Sequence, residues 1–584
     1  MADSGPGPNL STGAGPARVS ERVLGAVEIA ALAFLIACGL AAWTMGLVSR
    51  AFDYDEGLRA HSAWLSTRGL RPYDDFFECH PPYFALLAPV YRVFPDPYDA
   101  LRALRWLGTI GNLLFLAGLA TLGATIPGGR RWAWLGLAAV ACEPAIVDYL
   151  LEFRVDGWGY AVATWGIVRF RRSRRGISRD LELGVVAGIA TLLFCPKLAF
   201  LPPLVVLFDH LGASETAWAK LRAGLAYAAG SGVAAGLFLL YLTWHGIDPR
   251  RMTLLLGRFN ATVNESTGFH HGLYLSLLAN PALKWSFLAG VAGLVVSRLR
   301  SRSWPNPHEG ALACWLVLQA SVVNSPFKQY YAPWYLFGSY FVGCVGQGSA
   351  DLLASARLIA VPRSPRIGRA VRPALGTLGR LGRARERINR GSPDLLAMAR
   401  GYLARHPWTG RPSLAAVARA AAFVAAAATI GPESYRVAKE RNGGDAASQG
   451  DTIRWMNWVT RPGDHVLASL PLHPIERFDT FYLWFNVSTL NGFDAASVLE
   501  SIPQFREVVT QARAREELEA NPPALVCLPS FNGTSYSAAQ KAALAEFLRE
   551  RDYQPVPGKA IVLRPDRMDR ADRLGLIKPL DPGR

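Results

Sequence analysis

A series of apolar segments, most of them closed by clustered arginines, constrains this chain more than any other feature. The first segment, residues 23–48, is too long for a cleaved signal peptide and predicts a retained membrane anchor. A helix needs about 20 apolar residues to cross a bilayer. We therefore predict an α-helical polytopic membrane protein with about eleven transmembrane helices, near residues 23–48, 106–126, 132–150, 157–170, 181–195, 197–211, 222–244, 282–297, 311–325, 334–354 and 413–431.

The arginine positions predict the orientation of these helices in an inner or plasma membrane, because cytoplasmic loops carry an excess of Lys and Arg. Arg18 and Arg22 precede the first segment, so residues 1–22 are expected to form a disordered cytoplasmic N-terminus. Residues 357–411 contain thirteen arginines and no lysine, and we interpret 356–412 as a cytoplasmic loop held against anionic lipid. Much of the net charge of +17 lies there, so membrane lipids are expected partners. Nucleic acid is not an expected partner of the protein as a whole. RNA binding is the weaker alternative for this loop alone.

From about residue 432 the composition changes to that of a soluble domain. An odd number of spans places residues 432–584 outside the cytoplasm. The order of helices near 451–459, 512–520 and 538–551 and strands near 465–470, 524–529 and 559–563 predicts a small α/β unit with a parallel sheet. Cys79 and Cys527 would share that compartment, and a disulfide between them stays open because nothing in the sequence fixes their separation.

The loop at residues 52–82 holds an unusual number of ionisable groups for a segment between two apolar runs. Charges near a bilayer are costly unless they line a polar cavity or a water interface. Asp55 and Glu56 directly precede residues 57–65, which read as an amphipathic surface helix, and Pro81 and Pro82 suit the start of a second one. An ionised carboxylate at a helix N-terminus could serve as a general base, and the alternative for Asp55 is a helix cap.

These residues resemble the first external loop of the GT-C membrane glycosyltransferases related to protein O-mannosyltransferases and lipid A aminoarabinose transferases. The resemblance covers about residues 20–355 and is carried by Asp55-Glu56, Gly69-x-x-Pro72-Tyr73-x-Asp75 and His80-Pro81-Pro82. Weaker landmarks are Arg154-Val155-Asp156, Pro196-Lys197 and Tyr330-Tyr331-x-Pro333.

The resemblance implies a transmembrane catalytic domain at residues 23–355 that moves a sugar from a polyprenyl-phosphate carrier to a glycan, lipid or protein acceptor, with inversion. It assigns catalysis to Asp55 as the base with Glu56 and Glu78. It further assigns the donor phosphate to His80, Arg59, Lys197, Arg258, Lys328 and Tyr331, and the rest of the pocket to Asp75, Arg154 and Asp156. A divalent metal ion at Glu78 and His80 is an implied cofactor.

Two departures prevent a transfer of substrate identity. Leu58 stands where the aminoarabinose branch has an Arg, and Cys79-His80 separates Glu78 from Pro81. Three alternatives remain open: an envelope oligosaccharide polymerase or ligase, a secondary transporter, and an inactive relative that binds glycans. A transporter would place charges near mid-span in broken helices, whereas the charges here cluster at span ends.

Overall fold

The computed structural model describes residues 16–76, 80–126, 129–213, 215–250, 252–253, 256–257, 281–301, 306–322, 331–358, 414–441, 445–468, 472–481, 511–527 and 538–577. Within them the chain forms a helical unit followed by a small α/β unit. The helices of the first unit are α1 (Pro16–Ser49), α2 (Tyr54–Thr67), α3 (Pro81–Leu87), α4 (Val90–Val93), α5 (Pro97–Gly123), α6 (Arg130–Ala141), α7 (Pro144–Leu151), α8 (Asp156–Arg172), α9 (Ile177–Ile189), α10 (Leu201–Leu211), α11 (Ala217–Trp244), α12 (Pro281–Ser301), α13 (Pro307–Val322), α14 (Tyr331–Leu358) and α15 (Leu414–Arg441).

Three helices of the described residues are long and apolar enough to cross a membrane: 22–49, 97–123 and 217–244. The predicted span at 132–150 is instead broken into α6 and α7, which meet at 76° and would count as one further crossing. Pro144 explains the break, because proline has no N–H to continue the helix and its ring clashes with the preceding turn. The total of about eleven spans stays a prediction.

Close helix contacts build the core of this unit. Gly184 of α9 and Gly230 of α11 lie against the backbone of the facing helix, and a Cβ at either would come within 2.1 Å of a carbonyl oxygen, Tyr227 O or Leu181 O. Small residues at such crossings let membrane helices approach closely.

A buried carboxylate ties the first helix to the last one of the unit. Glu28 of α1 is fully buried, and its two oxygens accept hydrogen bonds from Arg131 of α6 at 2.7 Å and Arg419 of α15 at 2.6 Å. The N-terminal helix therefore packs against a helix formed nearly 400 residues later in the chain.

The second unit contains α16 (Asp445–Val459), β1 (His465–Leu467), β2 (Phe478–Asp479), α17 (Gln511–Ala520), β3 (Pro523–Cys527), α18 (Ala538–Glu550), β4 (Gln554–Pro555), β5 (Ile561–Leu563) and α19 (Pro565–Arg573). The strands form one sheet in the order β2-β1-β3-β5-β4. The β1 strand is parallel to β2 and β3, but β5 is antiparallel to both β3 and β4. The prediction of a parallel sheet is therefore wrong for its last two strands.

Candidate active site

A capping box fixes the start of α2, the helix that carries two predicted site residues. Asp53 is the N-cap: its Oδ1 accepts a hydrogen bond from the Glu56 backbone N–H at 2.8 Å, and Glu56 Oε2 accepts one from the Asp53 N–H at 3.1 Å. This reciprocal pair satisfies two N–H groups that have no partner inside the helix. The cap is therefore Asp53, and the alternative of Asp55 as the cap is wrong.

Glu56 belongs to the scaffold of the site. It is fully buried, and Arg105 of α5 donates a hydrogen bond to each of its oxygens, from Nε to Oε1 at 2.8 Å and from Nη2 to Oε2 at 2.5 Å. The Phe153 N–H donates to Oε1 at 2.9 Å. Burial would raise the pKa of Glu56, but the charge and hydrogen bonds of Arg105 outweigh it and hold the pKa below its usual range. Because both oxygens are engaged and enclosed, the geometry does not support the expected catalytic role of Glu56.

Asp55 points instead to two cations and keeps access to solvent. Its Oδ2 accepts a hydrogen bond from Arg154 Nη1 at 2.8 Å and lies 3.6 Å from Arg59 Nη2, with 30% of the side chain exposed. Burial on its other side would raise the pKa of Asp55, but the charges of Arg154 and Arg59 outweigh that effect and lower it. The carboxylate is thus ionised and partly accessible.

The turn between α7 and α8 locks this arrangement in place. Glu152 binds Arg154 on one side and accepts a hydrogen bond from Arg50 at 3.0 Å on the other. The Phe153 carbonyl accepts from Arg59 at 3.1 Å. The side chains of three segments, α2, the 152–154 turn and the end of α1, therefore interlock around Asp55, which limits how far its carboxylate can move.

Asp156, Lys197 and His80 form the other half of the site. Asp156 begins α8, and Lys197 lies on the short 3-10 turn Pro196–Phe200, with its Nζ 3.8 Å from Asp156 Oδ2. His80 precedes α3; burial lowers its pKa to about 4, with the charge of Asp156 opposing this shift and those of Arg59 and Lys197 adding to it. His80 is therefore neutral near pH 7, and it can offer a phosphate a hydrogen bond but no positive charge.

Some of the remaining predicted site residues have other contacts in the structure, and the others lie outside the residues that the structure describes. Asp75 is exposed and caps a local turn by accepting a hydrogen bond from the Arg71 N–H at 2.7 Å, which gives no support to its predicted place in the pocket. Tyr331 begins α14 and is buried in the main apolar core. Glu78, Arg258, Lys328 and Cys79 lie outside the described residues, so the metal at Glu78 and His80 and the disulfide stay predictions.

Sequence reasoning missed the residues that hold the site together. Arg105 directly precedes the predicted span at 106–126 and Arg50 follows the one at 23–48, and each finds its carboxylate in a different segment. In the structure Arg105 lies within α5, which begins earlier than the predicted span, and a charged residue within such a helix usually faces the protein interior and a partner.

No protein-family model and no curated protein sequence matches the chain. Solved structures do match. ArnT from Cupriavidus metallidurans in the apo state aligns with a TM-score of 0.52 at 14% identity, over 94% of this chain and 98% of that one. The same protein bound to undecaprenyl phosphate gives a TM-score of 0.54 at 14% identity, over 91% and 97%. The Archaeoglobus fulgidus oligosaccharyltransferase tethered with an acceptor peptide gives 0.44 at 12% identity, over 85% and 68%.

Identities this low establish a shared fold and nothing finer. The match to ArnT covers nearly the whole of both chains, helical unit and small α/β unit together. With the apolar helices described above, it identifies an integral membrane protein. The chain has the fold of ArnT from Cupriavidus metallidurans.

Proposed function

We propose that this protein transfers a sugar from a polyprenyl-phosphate donor to an acceptor on the extracytoplasmic face of the membrane, with inversion at the anomeric carbon. The observation that carries the proposal is the Asp55 carboxylate, kept ionised by Arg154 and Arg59 and partly open to solvent. Lys197 and His80 lie beside Asp156 in the same region. A base and a phosphate-binding cation are the two groups that displacement of a lipid phosphate requires.

On the acceptor side, Asp55 is the base. As the acceptor hydroxyl bonds to the anomeric carbon, its proton becomes acidic and passes to the Asp55 carboxylate. Arg154 and Arg59 hold the carboxylate in place, and positioning of this kind accounts for a large part of catalysis when the reacting groups must meet in line.

On the donor side, the bond from the anomeric carbon to the phosphate oxygen breaks, and its electron pair leaves with the polyprenyl phosphate. Lys197 is a cation placed to neutralise that charge. Arg258 and Lys328 are further proposed cations, and the buried Tyr331 could contribute only a hydrogen bond. Fixed positive charge at a low-dielectric membrane edge stabilises a developing anion strongly. His80, being neutral, would donate a hydrogen bond to the same group.

The test is transfer by purified protein in proteoliposomes from a panel of undecaprenyl-phosphate-linked monosaccharides, measured as released undecaprenyl phosphate. Mass spectrometry of lipid-linked sugars and envelope glycans in a deletion strain selects the panel. Asp55→Asn should abolish release and leave insertion intact, because the amide cannot accept the proton. Full activity in Asp55→Asn would remove this residue from the mechanism.

Asp75→Asn is the matched control, since it neutralises an exposed acid of the same loop whose described hydrogen bond is to the Arg71 N–H. It should retain wild-type release. A second donor class, diphosphate-linked oligosaccharides, tests the polymerase or ligase alternative: turnover of these donors alone would replace the proposed function.

A further inference from the structure

A cavity of about 260 Å³ lies between α1, α7 and α15. Three polar side chains line it: Arg50, which directly follows the apolar helix at 22–49, Asp148 of α7 and Ser434 of α15. The other described residues of its lining are apolar or glycine. The chemistry proposed above does not use this cavity, so its polar groups need a separate explanation.

Two buried donors at the cavity lack a hydrogen-bond partner among the described residues. Ser434 is 2% exposed, and its Oγ is one of them. Arg50 Nη1 is the other, and it lies 3.9 Å from Glu56 Oε2, which is too far for a hydrogen bond. Buried polar groups normally have a partner, so orphaned donors beside a cavity indicate a binding site. A water takes up about 30 Å³, and the cavity can therefore hold a ligand much larger than one ordered water.

The charges around the cavity select the kind of ligand. Arg50 and Ser434 are donors that suit phosphate oxygens. The Asp148 carboxylate has several lone pairs and can accept from an ammonium group in addition to a partner within the protein. Glu56 and Glu152 also lie next to Arg50, which disfavours a plain anion. A phosphoethanolamine group meets these conditions, because it joins a phosphate to a primary ammonium and has no net charge.

The position of the cavity favours a lipid over a water-soluble ligand. Ala42 and Gly46 precede Arg50 by about two turns and one turn of α1, so an apolar wall runs from Arg50 into the helix that is long enough to cross the membrane. Val437 and Ala438 of α15 add to this wall and are themselves partly exposed. A lipid whose phosphate lies at Arg50 would therefore place its acyl chains along apolar side chains.

Arg50 connects the cavity to the proposed base. Its Nη2 donates to Glu152 Oε1 at 3.0 Å, Glu152 Oε2 binds Arg154, and Arg154 donates to Asp55 Oδ2 at 2.8 Å. The guanidinium is a rigid plane, so a phosphate bound to Nη1 also fixes the direction of Nη2. Occupation of the cavity thereby limits the movement of Glu152 and Arg154, and through them of Asp55.

We propose that this cavity binds the headgroup of phosphatidylethanolamine from the leaflet next to Asp55, with Arg50 and Ser434 on the phosphate and Asp148 on the ammonium. The bound lipid holds Arg50 in the orientation that supports Arg154, and so positions Asp55 for transfer. Lipid binding itself is independent of the proposed function, and its effect on transfer rests on that function.

Native mass spectrometry of the full chain in detergent, with one phospholipid added at a time, tests the headgroup. The wild type should bind phosphatidylethanolamine about tenfold more tightly than phosphatidylglycerol or phosphatidylcholine, which is the gain expected from one charge-assisted hydrogen bond. Phosphatidylglycerol has no ammonium, and the quaternary ammonium of phosphatidylcholine has no N–H for Asp148. Asp148→Asn should remove this preference, because the amide lacks the charge that attracts the ammonium.

Variants of α15 test the place of binding. Ala438→Leu fills the cavity and should abolish retention of the lipid, whereas Ser434→Ala removes one phosphate donor and should weaken binding about tenfold. Ala428→Leu is the matched control, since it enlarges an exposed alanine of the same helix outside the cavity, and it should bind as the wild type does. The midpoint of thermal unfolding in detergent shows that each variant is folded.

Transfer in proteoliposomes of defined composition tests the effect on Asp55. Phosphatidylethanolamine should raise kcat in the wild type and in Ala428→Leu, with little change in the KM of the donor, and it should leave Ala438→Leu unchanged. A positioning effect acts on the reacting group and therefore appears in kcat.

Equal binding of the three lipids by the wild type, or wild-type retention of phosphatidylethanolamine by Ala438→Leu, would overturn the proposal. A preference for phosphatidylglycerol would do the same, since it would show a site for a simple anion. If the binding results hold but no donor is consumed by any form, the lipid site stands and the proposed function fails, so the two failures are distinguishable.

Discussion

Asp53 and Asp55 are neighbours on one turn of chain, yet their electrostatic surroundings are opposite. Burial and the charges of Glu152 and Glu56 raise the pKa of Asp53 well above its usual value. Asp55 is also buried on one side, but Arg154 and Arg59 reverse the shift. The surroundings therefore move the pKa values of the two carboxylates in opposite directions, and Asp55 is the one whose ionised form is favoured.

Replacement of Arg154 should move the acid limb of the activity profile. The base form of Asp55 exists above its lowered pKa, so activity is lost as pH falls through that value. Arg154→Gln removes a lowering charge, the pKa rises, and the acid limb of kcat/KM should shift to higher pH. Arg154→Lys keeps the charge and should restore the limb toward the wild-type position. An unmoved limb in Arg154→Gln would show that another group titrates there.

Sequence alone could locate these residues but not pair them. Asp55, Arg154, Asp156 and Lys197 stand at the ends of apolar segments, where charge is unusual enough to be noticed. Their partners depend on how distant segments pack, and the pairing of Arg154 with Asp55 spans 99 positions. The reassignment of Glu56 needed the position of Arg105, which directly precedes the predicted span at 106–126 and lies within α5 in the structure.

At the scale of elements, the contact between α9 and α11 shows how closely two helices can approach. Gly230→Ala would bring a Cβ to 2.1 Å from Leu181 O, and overpacking of this kind typically costs about 1–3 kcal/mol or more. We expect a lower midpoint of thermal unfolding in detergent. Gly232→Ala, on the same helix with open space around its Cβ position, should be unchanged or slightly more stable. Equal effects would rule out a tight contact at Gly230.

Element boundaries were predictable where local chemistry decides them. The apolar segments at 23–48 and 222–244 correspond to α1 and α11. The predicted strand at 559–563 corresponds to β5. Its antiparallel partner β4 was missed, although Pro557-Gly558 marks a tight turn between the two strands, with Gly558 at φ 72°. A hairpin reverses the chain, and that reversal is why the last strands cannot be parallel.

For the whole molecule, the arginine distribution gives a testable orientation. Protease added outside intact cells should leave residues 356–412 uncut, because that loop is expected in the cytoplasm. The same protease should cleave within residues 432–584 once that unit has been partly unfolded. Cleavage at 356–412 in sealed cells would invert the topology and place Asp55 in the cytoplasm.

The contacts of Glu28 have a consequence for biosynthesis. Arg419, which binds Glu28, is translated long after α1 has entered the membrane. Until the ribosome has made α15, the Glu28 carboxylate of the first helix is therefore only partly neutralised. A chain that stops early would expose that charge and the apolar face beside it. The first helix of such a truncated chain would therefore lack a contact that only the complete helical unit provides.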